Sequence, residues 1–218
     1  MSTSSPQPRW QRRAESRPQE LLDAALTVFV ERGYAAASLD EVARRAGVSK
    51  GTLYLYFDNK VELFKAVVRQ SLISSMDDAR AQAAQYPGGS WELLALVLGE
   101  FTRRVVMSPL SGIPKLIIAE AGNFPEITRF YFDEVVLRGR MLIQGILERG
   151  IANGEFRAVD TNEVWRIVIA PLILGMLWKH SFLPFDPQGL DFEQHLRAHL
   201  DLLRHGLASA GAGSPPPL

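Results

Sequence analysis

The sequence predicts an all-α chain of two domains, a small N-terminal unit of three helices followed by a larger helical bundle. Three observations support this fold class. Apolar residues recur at spacings of three and four, no stretch alternates as a half-buried strand does, and Ser, Asp or Asn precedes several periodic segments as a helix cap. The 218 residues are enough for one large or two modest domains with a buried core.

The composition is that of a soluble globular protein and excludes some chemistry. Hydrophobic residues make up 47% of the chain and charged residues 22%. There is no cysteine, which excludes disulfides and thiolate sites. The N-terminus lacks the apolar core of a signal peptide, and the apolar run 167–178 is shorter than the roughly 20 residues of a membrane span. A cytoplasmic protein is therefore expected.

The first predicted helix begins at about Pro18 and ends before Gly33. Proline is favoured in the first turn of a helix, and glycine supplies the left-handed residue that ends one. Tyr34 is expected to pack back on the small domain. The apolar stripe of this helix is expected to consist of Leu22, Ala25, Leu26 and Phe29.

Residues 38–57 have the pattern of two short helices joined by a tight turn. Ser38 and Glu41 form a capping box that begins the first helix, and Gly47 ends it. Ser49 is the N-cap of the second helix. The apolar positions expected to face the core are Leu39, Val42, Ala43, Ala46, Val48, Leu53 and Phe57. This is a helix-turn-helix, the motif that places its second helix in the major groove of DNA.

The outward face of the second helix carries side chains suited to DNA. Lys50 can donate to guanine acceptors, Gly51 lets the backbone approach closely, and Leu55 offers an apolar surface to a thymine methyl group. Hydroxyl groups on the same face suit phosphate oxygens, which fix register without reading sequence. The alternative is a plain helical hairpin with half-buried surface tyrosines. The candidate DNA-binding residues are Ser38, Ser49, Lys50, Gly51, Thr52, Tyr54, Leu55, Tyr56 and Lys60.

A fourth helix is predicted from Lys60 to about Gln85, with Asp58 or Asn59 as its cap. The free N–H groups at its start, together with the ammonium of Lys60, are expected to bind a DNA phosphate. The helix is long enough to leave the small domain and link it to the large one. Further helices are predicted at about 91–107, 113–121 and 126–149. The next helix is capped by Asp160 or Thr161 and has its apolar centre at 167–178, with a kink or a loosened hydrogen bond at Pro171. The apolar stripe of the final helix runs from Phe192 to Leu207.

The segments 33–34, 38–43 and 47–60 resemble the N-terminal domain of the tetracycline-repressor (TetR) family. The resemblance extends from about Pro18 to Phe64 and implies a three-helix DNA-binding unit, a homodimer and an all-helical ligand-binding domain. Position 55 is often aromatic or His in relatives, and Leu there makes no hydrogen bond. The matching positions imply base contacts from Lys50 and Leu55 and phosphate contacts from Thr52, Tyr54, Tyr56 and Lys60.

The domain organisation that follows is a disordered basic arm at 1–16, a helix-turn-helix domain at 17–62, a ligand-binding and dimerisation domain at 63–208 and a disordered tail at 209–218. Arg9, Arg12 and Arg13 in the arm either enter a minor groove or form a solvated tail. The net charge is zero, and residues 1–60 carry only 9 Lys and Arg against 7 Asp and Glu, so binding depends on where the charges lie. The apolar surface of the last two helices predicts a two-fold dimer and hence an inverted-repeat operator.

The large domain supplies aromatic and flexible apolar side chains for a pocket that binds a small hydrophobic effector. Most of them could equally be ordinary core residues. The candidate ligand-binding residues are Trp91, Phe101, Phe130, Tyr131, Met141, Trp165, Met176 and Trp178. His195 and His199 have a spacing that could hold a metal ion, but no third ligand is evident, and surface or interface histidines are expected instead.

No catalytic constellation, cofactor motif or metal motif is present in the sequence, so an enzyme is not expected. The sequence predicts a ligand-responsive transcriptional regulator, a repressor that a small hydrophobic effector releases from a palindromic operator. The alternative is a helical protein that binds hydrophobic ligands without binding an operator.

Overall fold

The structure is a computed structural model that describes the backbone of residues 9–209 and the side chains of residues 18–209. Within that range it is all-α, and one isolated antiparallel bridge joins Phe156 and Ala208. The described residues divide into two compact units, with the division between residues 70 and 71. The α-helices are α1 (Arg9–Ala36), α2 (Leu39–Arg45), α3 (Lys50–Tyr54), α4 (Lys60–Val68), α5 (Ser74–Ala84), α6 (Ser90–Phe101), α7 (Gly112–Glu120), α8 (Pro125–Tyr131), α9 (Leu137–Ala152), α10 (Thr161–Ser181) and α11 (Phe192–Leu207).

An aromatic cluster forms the centre of the first unit. The ring centroids of Phe29, Tyr34 and Phe64 lie 5.4 to 5.7 Å apart, one pair stacked and two edge to face. Tyr34 is 1% exposed, which confirms that it packs on the small domain. The cluster joins α1 to α4, because Phe29 belongs to the first helix and Phe64 to the fourth.

Helix α1 begins at Arg9, earlier than the predicted start near Pro18. The added residues include Arg, Gln, Ala and Glu, which are good helix formers. Gly33 has a φ of +77° inside this helix, so the regular part ends where the sequence predicts and a single turn follows. Residues 1–8 and 210–218 lie outside the described residues, as do the side chains of 9–17. The predicted disorder of the tail and the minor-groove role of Arg9, Arg12 and Arg13 therefore stay predictions.

The predicted fourth helix is helical as far as Ala84 but is not a single α-helix, because a π-helical turn, Arg69–Ile73, separates α4 from α5. The division between the two units falls at residue 70, within this turn, rather than at the predicted boundary near 62. The reason is that α4 packs on α1 and contributes Phe64 to the aromatic cluster.

The second unit contains α5 to α11. The predicted helices at 91–107 and 126–149 are each interrupted by a π-helical turn, Thr102–Val106 and Phe132–Val136. Pro171 does not end α10, which continues to Ser181. None of the described helices is both long and apolar enough to cross a membrane. Fully buried side chains at the centre of this unit include Leu94, Leu98, Ile113, Leu147, Val168, Leu172 and Met176.

Candidate nucleic-acid interface

Local hydrogen bonds set the ends of the two short helices that form the motif. Ser38 Oγ accepts the N–H of Glu41 at 3.2 Å, and Ser49 Oγ accepts the N–H of Thr52 at 3.1 Å. Gly47 has a φ of +66°, a conformation that L side chains rarely adopt. These contacts confirm both predicted caps and the predicted turn.

Glu41 does not complete the predicted capping box with its side chain. Its carboxylate oxygen Oε1 lies 3.1 Å from the guanidinium of Arg45, which also binds Glu31 on α1 at 2.5 Å. Arg45 therefore bridges α1 and α2. The bridge lies partly on the surface, where ion pairs contribute little stability, but it restricts the orientation of α2.

Buried leucine and valine side chains anchor the helix-turn-helix in the core of the first unit. Leu53 is fully buried, Val42 is 1% exposed, and Phe57 is half-buried. Because Leu53 faces inward, its neighbours on α3 and in the following turn face outward. Tyr54 is 44% exposed, Leu55 83% and Tyr56 41%. All three side chains are therefore accessible to a partner, and their contact with DNA stays a prediction.

Lys50 is also exposed, but it has a partner that was not predicted from the sequence. Its Nζ lies 2.8 Å from Oδ1 and 3.1 Å from Oδ2 of Asp40, in the first turn of α2. The hydrogen bond to this carboxylate and its charge raise the pKa of Lys50 above the ordinary value for a lysine. The only sequence signal for this pair is that both residues stand in the first turns of consecutive helices.

Three of the predicted DNA-binding hydroxyls take part in the local structure. Ser38 and Ser49 are the N-caps, and the hydroxyl of Ser49 lies 2.8 Å from that of Thr52. Thr52 is half-buried beside this contact. The remaining predicted hydroxyls are those of Tyr54 and Tyr56, whose side chains are exposed.

Lys60 serves a different purpose from the predicted phosphate contact. Its Nζ donates to the carbonyl oxygens of Tyr34, Ala35 and Ala37 at 2.8, 3.1 and 3.1 Å, and it lies 4.6 Å from the centre of the Tyr34 ring. An ammonium group has three hydrogens to donate, and these carbonyls accept all of them. In this structure Lys60 therefore supports the turn between α1 and α2, while Asn59 provides the predicted cap of α4.

Comparison with known proteins agrees with this geometry. The profile of the family described as "Bacterial regulatory proteins, tetR family" matches residues 21–67, which include all of α2 and α3. The fatty acid metabolism regulator protein of Bacillus subtilis is 30% identical over 152 residues, which cover 66% of this chain and 73% of that protein. The chain belongs to the TetR family.

Two further proteins differ in how much of this chain they match. The transcriptional activator FasR of Mycolicibacterium smegmatis is 47% identical, but over only 66 residues, 30% of each chain. The crystal structure of the transcriptional regulator FadR from Bacillus subtilis in complex with stearoyl-CoA has a TM-score of 0.63 and 22% identity, covering 86% of this chain and 98% of that one. Since its relatives are transcriptional regulators, this TetR-family protein is a DNA-binding transcriptional regulator and not an enzyme.

The effector residues predicted for this TetR-family protein do not share one environment. Met176 is fully buried and Trp165 is 9% exposed, so both are core residues. Met141 is 53% exposed, and Trp178 lies on the surface, where its indole N–H donates to Asp186 at 2.9 Å. Met176 and Trp165 thus fit the core alternative that the sequence left open, and effector binding by any of these four residues stays a prediction.

The other four predicted effector residues, Trp91, Phe101, Phe130 and Tyr131, are half-buried. Burial raises the pKa of the Tyr131 phenol, which keeps it neutral. Met141 lines an open groove of about 450 Å³ whose walls carry Asp133, Glu134 and Arg138. Such a charged, open groove is a poor site for a hydrophobic effector.

Of the paired histidines on α11, which were predicted to be surface or interface residues, His195 is half-buried and His199 is buried rather than on the surface. His195 Nε2 donates to the carbonyl of Pro171 at 3.2 Å, and His199 is 6% exposed with both ring nitrogens unpaired. Burial and the neighbouring His195 lower the pKa of His199. Among residues 18–209 no group of three side chains is arranged to hold a metal ion.

Proposed function

We propose that this TetR-family regulator is a dimeric repressor that binds an inverted-repeat operator in double-stranded DNA and is released by a small hydrophobic effector. The observation that carries the proposal is the exposed surface of Lys50, Tyr54, Leu55 and Tyr56 on a helix-turn-helix held from below by Leu53. Such a helix fits the major groove of B-DNA.

Each exposed side chain has a role that its chemistry suits. Lys50 donates to a guanine, and Leu55 contacts a thymine methyl group. Tyr54 and Tyr56 donate their hydroxyls to phosphate oxygens and so fix the register of α3 without reading sequence. Because the first 60 residues carry only a small excess of positive charge, affinity depends on a few local contacts.

The proposed dimer uses the last two helices. On α10, Ile167, Leu174 and Trp178 lie at spacings that place them on one face, and they are 62%, 56% and 36% exposed. Leu202 on α11 is 73% exposed. Fully burying a side chain of this kind contributes about 1.5–3 kcal/mol, so covering this surface with a second copy favours association. Two-fold symmetry would then set two α3 helices roughly 34–36 Å apart on an inverted repeat.

A fatty-acyl compound is the effector class that we propose to test first. The support is the similarity to the fatty acid metabolism regulator protein of Bacillus subtilis and to the FadR crystal structure, which contains stearoyl-CoA. An effector releases DNA only if it binds the DNA-free arrangement of the dimer more tightly than the DNA-bound one. We propose that the protein acts in this way in the cytoplasm.

The direct test is a gel shift of the full-length protein with the DNA upstream of its own gene, against a shuffled duplex of equal length and composition. We expect a retarded band for the upstream DNA that survives an excess of shuffled competitor. Equal competition by the two duplexes would contradict operator binding and favour a ligand-binding protein that does not read DNA. Addition of stearoyl-CoA should then abolish the band; a band that stays or strengthens would contradict release by this class of effector.

A further inference from the structure

The ion pair between Asp40 and Lys50 places a negative charge on a surface proposed to face DNA. The two side chains are 63% and 58% exposed, and the ammonium lies within 3.1 Å of both carboxylate oxygens. A carboxylate in this position repels phosphates, which opposes the general attraction that a DNA-binding surface needs.

Asp40 contributes little to stability, because a carboxylate in the first turn of a helix contributes only about 0.3–1 kcal/mol. An exposed ion pair contributes roughly 0–1 kcal/mol. The N-terminus of α2 already has its cap, because Ser38 accepts the N–H of Glu41. What Asp40 does change is the freedom of Lys50, since the ammonium shares its hydrogens with a neighbouring carboxylate instead of pairing with any phosphate it meets.

Together the two side chains present a pattern of hydrogen-bonding groups. Lysine offers only donors, and an ionised carboxylate offers only acceptors. In the major groove a G·C pair shows the N7 and O6 acceptors of guanine beside the N4 donor of cytosine, which is the complementary order. An A·T pair places the adenine N6 donor between its two acceptors, so the ammonium could use only one acceptor at a time.

We propose that Asp40 and Lys50 act as one unit that reads a G·C base pair in each half of the operator. Lys50 donates to guanine O6 and N7, and Asp40 accepts a hydrogen bond from cytosine N4. Asp40 also lowers the affinity of Lys50 for phosphates of other DNA, so it acts as a specificity-determining residue. This inference rests on the proposed operator binding.

The test begins with selection by the full-length protein from a pool of duplexes that contain 30 randomised base pairs. The affinity of the wild-type protein, Asp40→Ala, Lys50→Ala and the double variant is then measured for the selected duplex and for each single base-pair change. Asp58→Ala serves as the matched control, because it removes an exposed carboxylate of the same unit.

We expect one G·C position in each half-site at which Asp40→Ala reduces the preference over A·T by about tenfold, in line with the loss of one specific base contact. The same variant should bind shuffled DNA more tightly than the wild-type protein does. Lys50→Ala should act at the same position, and the double variant should lose no more preference than Lys50→Ala alone, because the two side chains are coupled. Asp58→Ala should leave every base preference unchanged.

Two outcomes would overturn the inference while leaving operator binding intact. One is an Asp40→Ala variant whose base preferences equal those of the wild-type protein at every position. The other is a selected sequence in which the position sensitive to Lys50 is A·T. If the wild-type protein enriches no sequence from the pool, the proposed function itself fails, so the two failures are distinguishable.

Discussion

The ammonium of Lys60 lies 2.8 Å from the carbonyl oxygen of Tyr34 and 4.6 Å from the centre of the same residue's ring. The same ammonium donates to the carbonyls of Ala35 and Ala37, and these hydrogen bonds connect the start of α4 to the turn that leads into α2. A lysine at the first position of a helix near DNA is expected from the sequence to bind a phosphate. These contacts instead make Lys60 a residue that stabilises the helix-turn-helix.

Lys60→Met should therefore weaken operator binding without changing its dependence on salt. The substitution removes three charge-assisted hydrogen bonds but keeps an apolar stem over Tyr34, and the free energy of unfolding should fall by about 2–3 kcal/mol. Each phosphate contact contributes about 0.9 to the slope of log K against log salt concentration. Fluorescence anisotropy over a salt series measures this slope. A slope that is smaller by about one unit per protomer would contradict this prediction and show that Lys60 contacts a phosphate. Lys65→Met, on the same helix, is the control.

Tyr54→Phe should lower affinity for all DNA sequences by a similar factor. The change removes the exposed hydroxyl and keeps the ring, so it deletes one proposed phosphate contact and costs roughly 0.5–1.5 kcal/mol, or about 2- to 12-fold. The measurement is the affinity for the selected duplex and for its single-base variants. A changed ratio between those duplexes would instead assign Tyr54 to base reading. Tyr86→Phe, in the second unit, should have no effect.

The double substitution Ile167→Glu and Leu174→Glu should convert the proposed dimer into a monomer. Both residues lie on one exposed face of α10, so two charges per copy would be buried on association. Analytical ultracentrifugation gives the mass, and circular dichroism checks that the helices persist. Leu96→Glu, at an exposed leucine of α6, is the matched control. If the double variant remains dimeric, the dimer interface does not include this face of α10.

Glu155→Gln should destabilise the second unit. The N-cap of α6, Gly89, has no side chain, and the Glu155 carboxylate accepts the N–H of Ser90 at 2.7 Å and that of Trp91 at 3.2 Å instead. Burial opposes ionisation, but these hydrogen bonds outweigh it and lower the pKa of Glu155. A loss of about 1–2 kcal/mol in the free energy of unfolding is expected from urea titration at pH 7. Glu148→Gln on α9 should cost much less; equal losses would contradict the capping role.

Stability should fall as the pH drops below about 6.5, the ordinary pKa of histidine. His199 is buried with a lowered pKa, so the unfolded chain binds a proton that the folded chain resists, and this contribution is complete above the ordinary pKa and lost below it. The expected slope is up to about 1.4 kcal/mol per pH unit. His199→Leu should flatten the profile between pH 5 and 6.5, whereas the substitution His205→Leu at an exposed residue should not. An unchanged profile for His199→Leu would show that this histidine already titrates normally.

The sequence alone determined where the helices of the helix-turn-helix begin and where the turn lies. The caps at Ser38 and Ser49 and the turn at Gly47 depend on backbone geometry within three residues, so local pattern was enough to predict them. For α4 the pattern left Asp58 or Asn59, and the structure shows Asn59. The outward direction of Tyr54 and Leu55 follows from the helical position of Leu53. The family resemblance, which rests on the same short segments, predicted the all-helical fold of the rest of the chain.

Only the tertiary structure decided which partners the polar side chains find. Lys60 reaches carbonyls 23 to 26 residues earlier, Glu155 caps a helix that begins 65 residues before it, and Lys50 meets Asp40 across a turn. The same holds for the aromatic residues of the second unit, where Trp165 is core and Trp178 is surface although both belong to α10. Periodicity tells which residues share a face of a helix. What covers that face depends on the packing of segments far apart in the chain, and no local pattern encodes it.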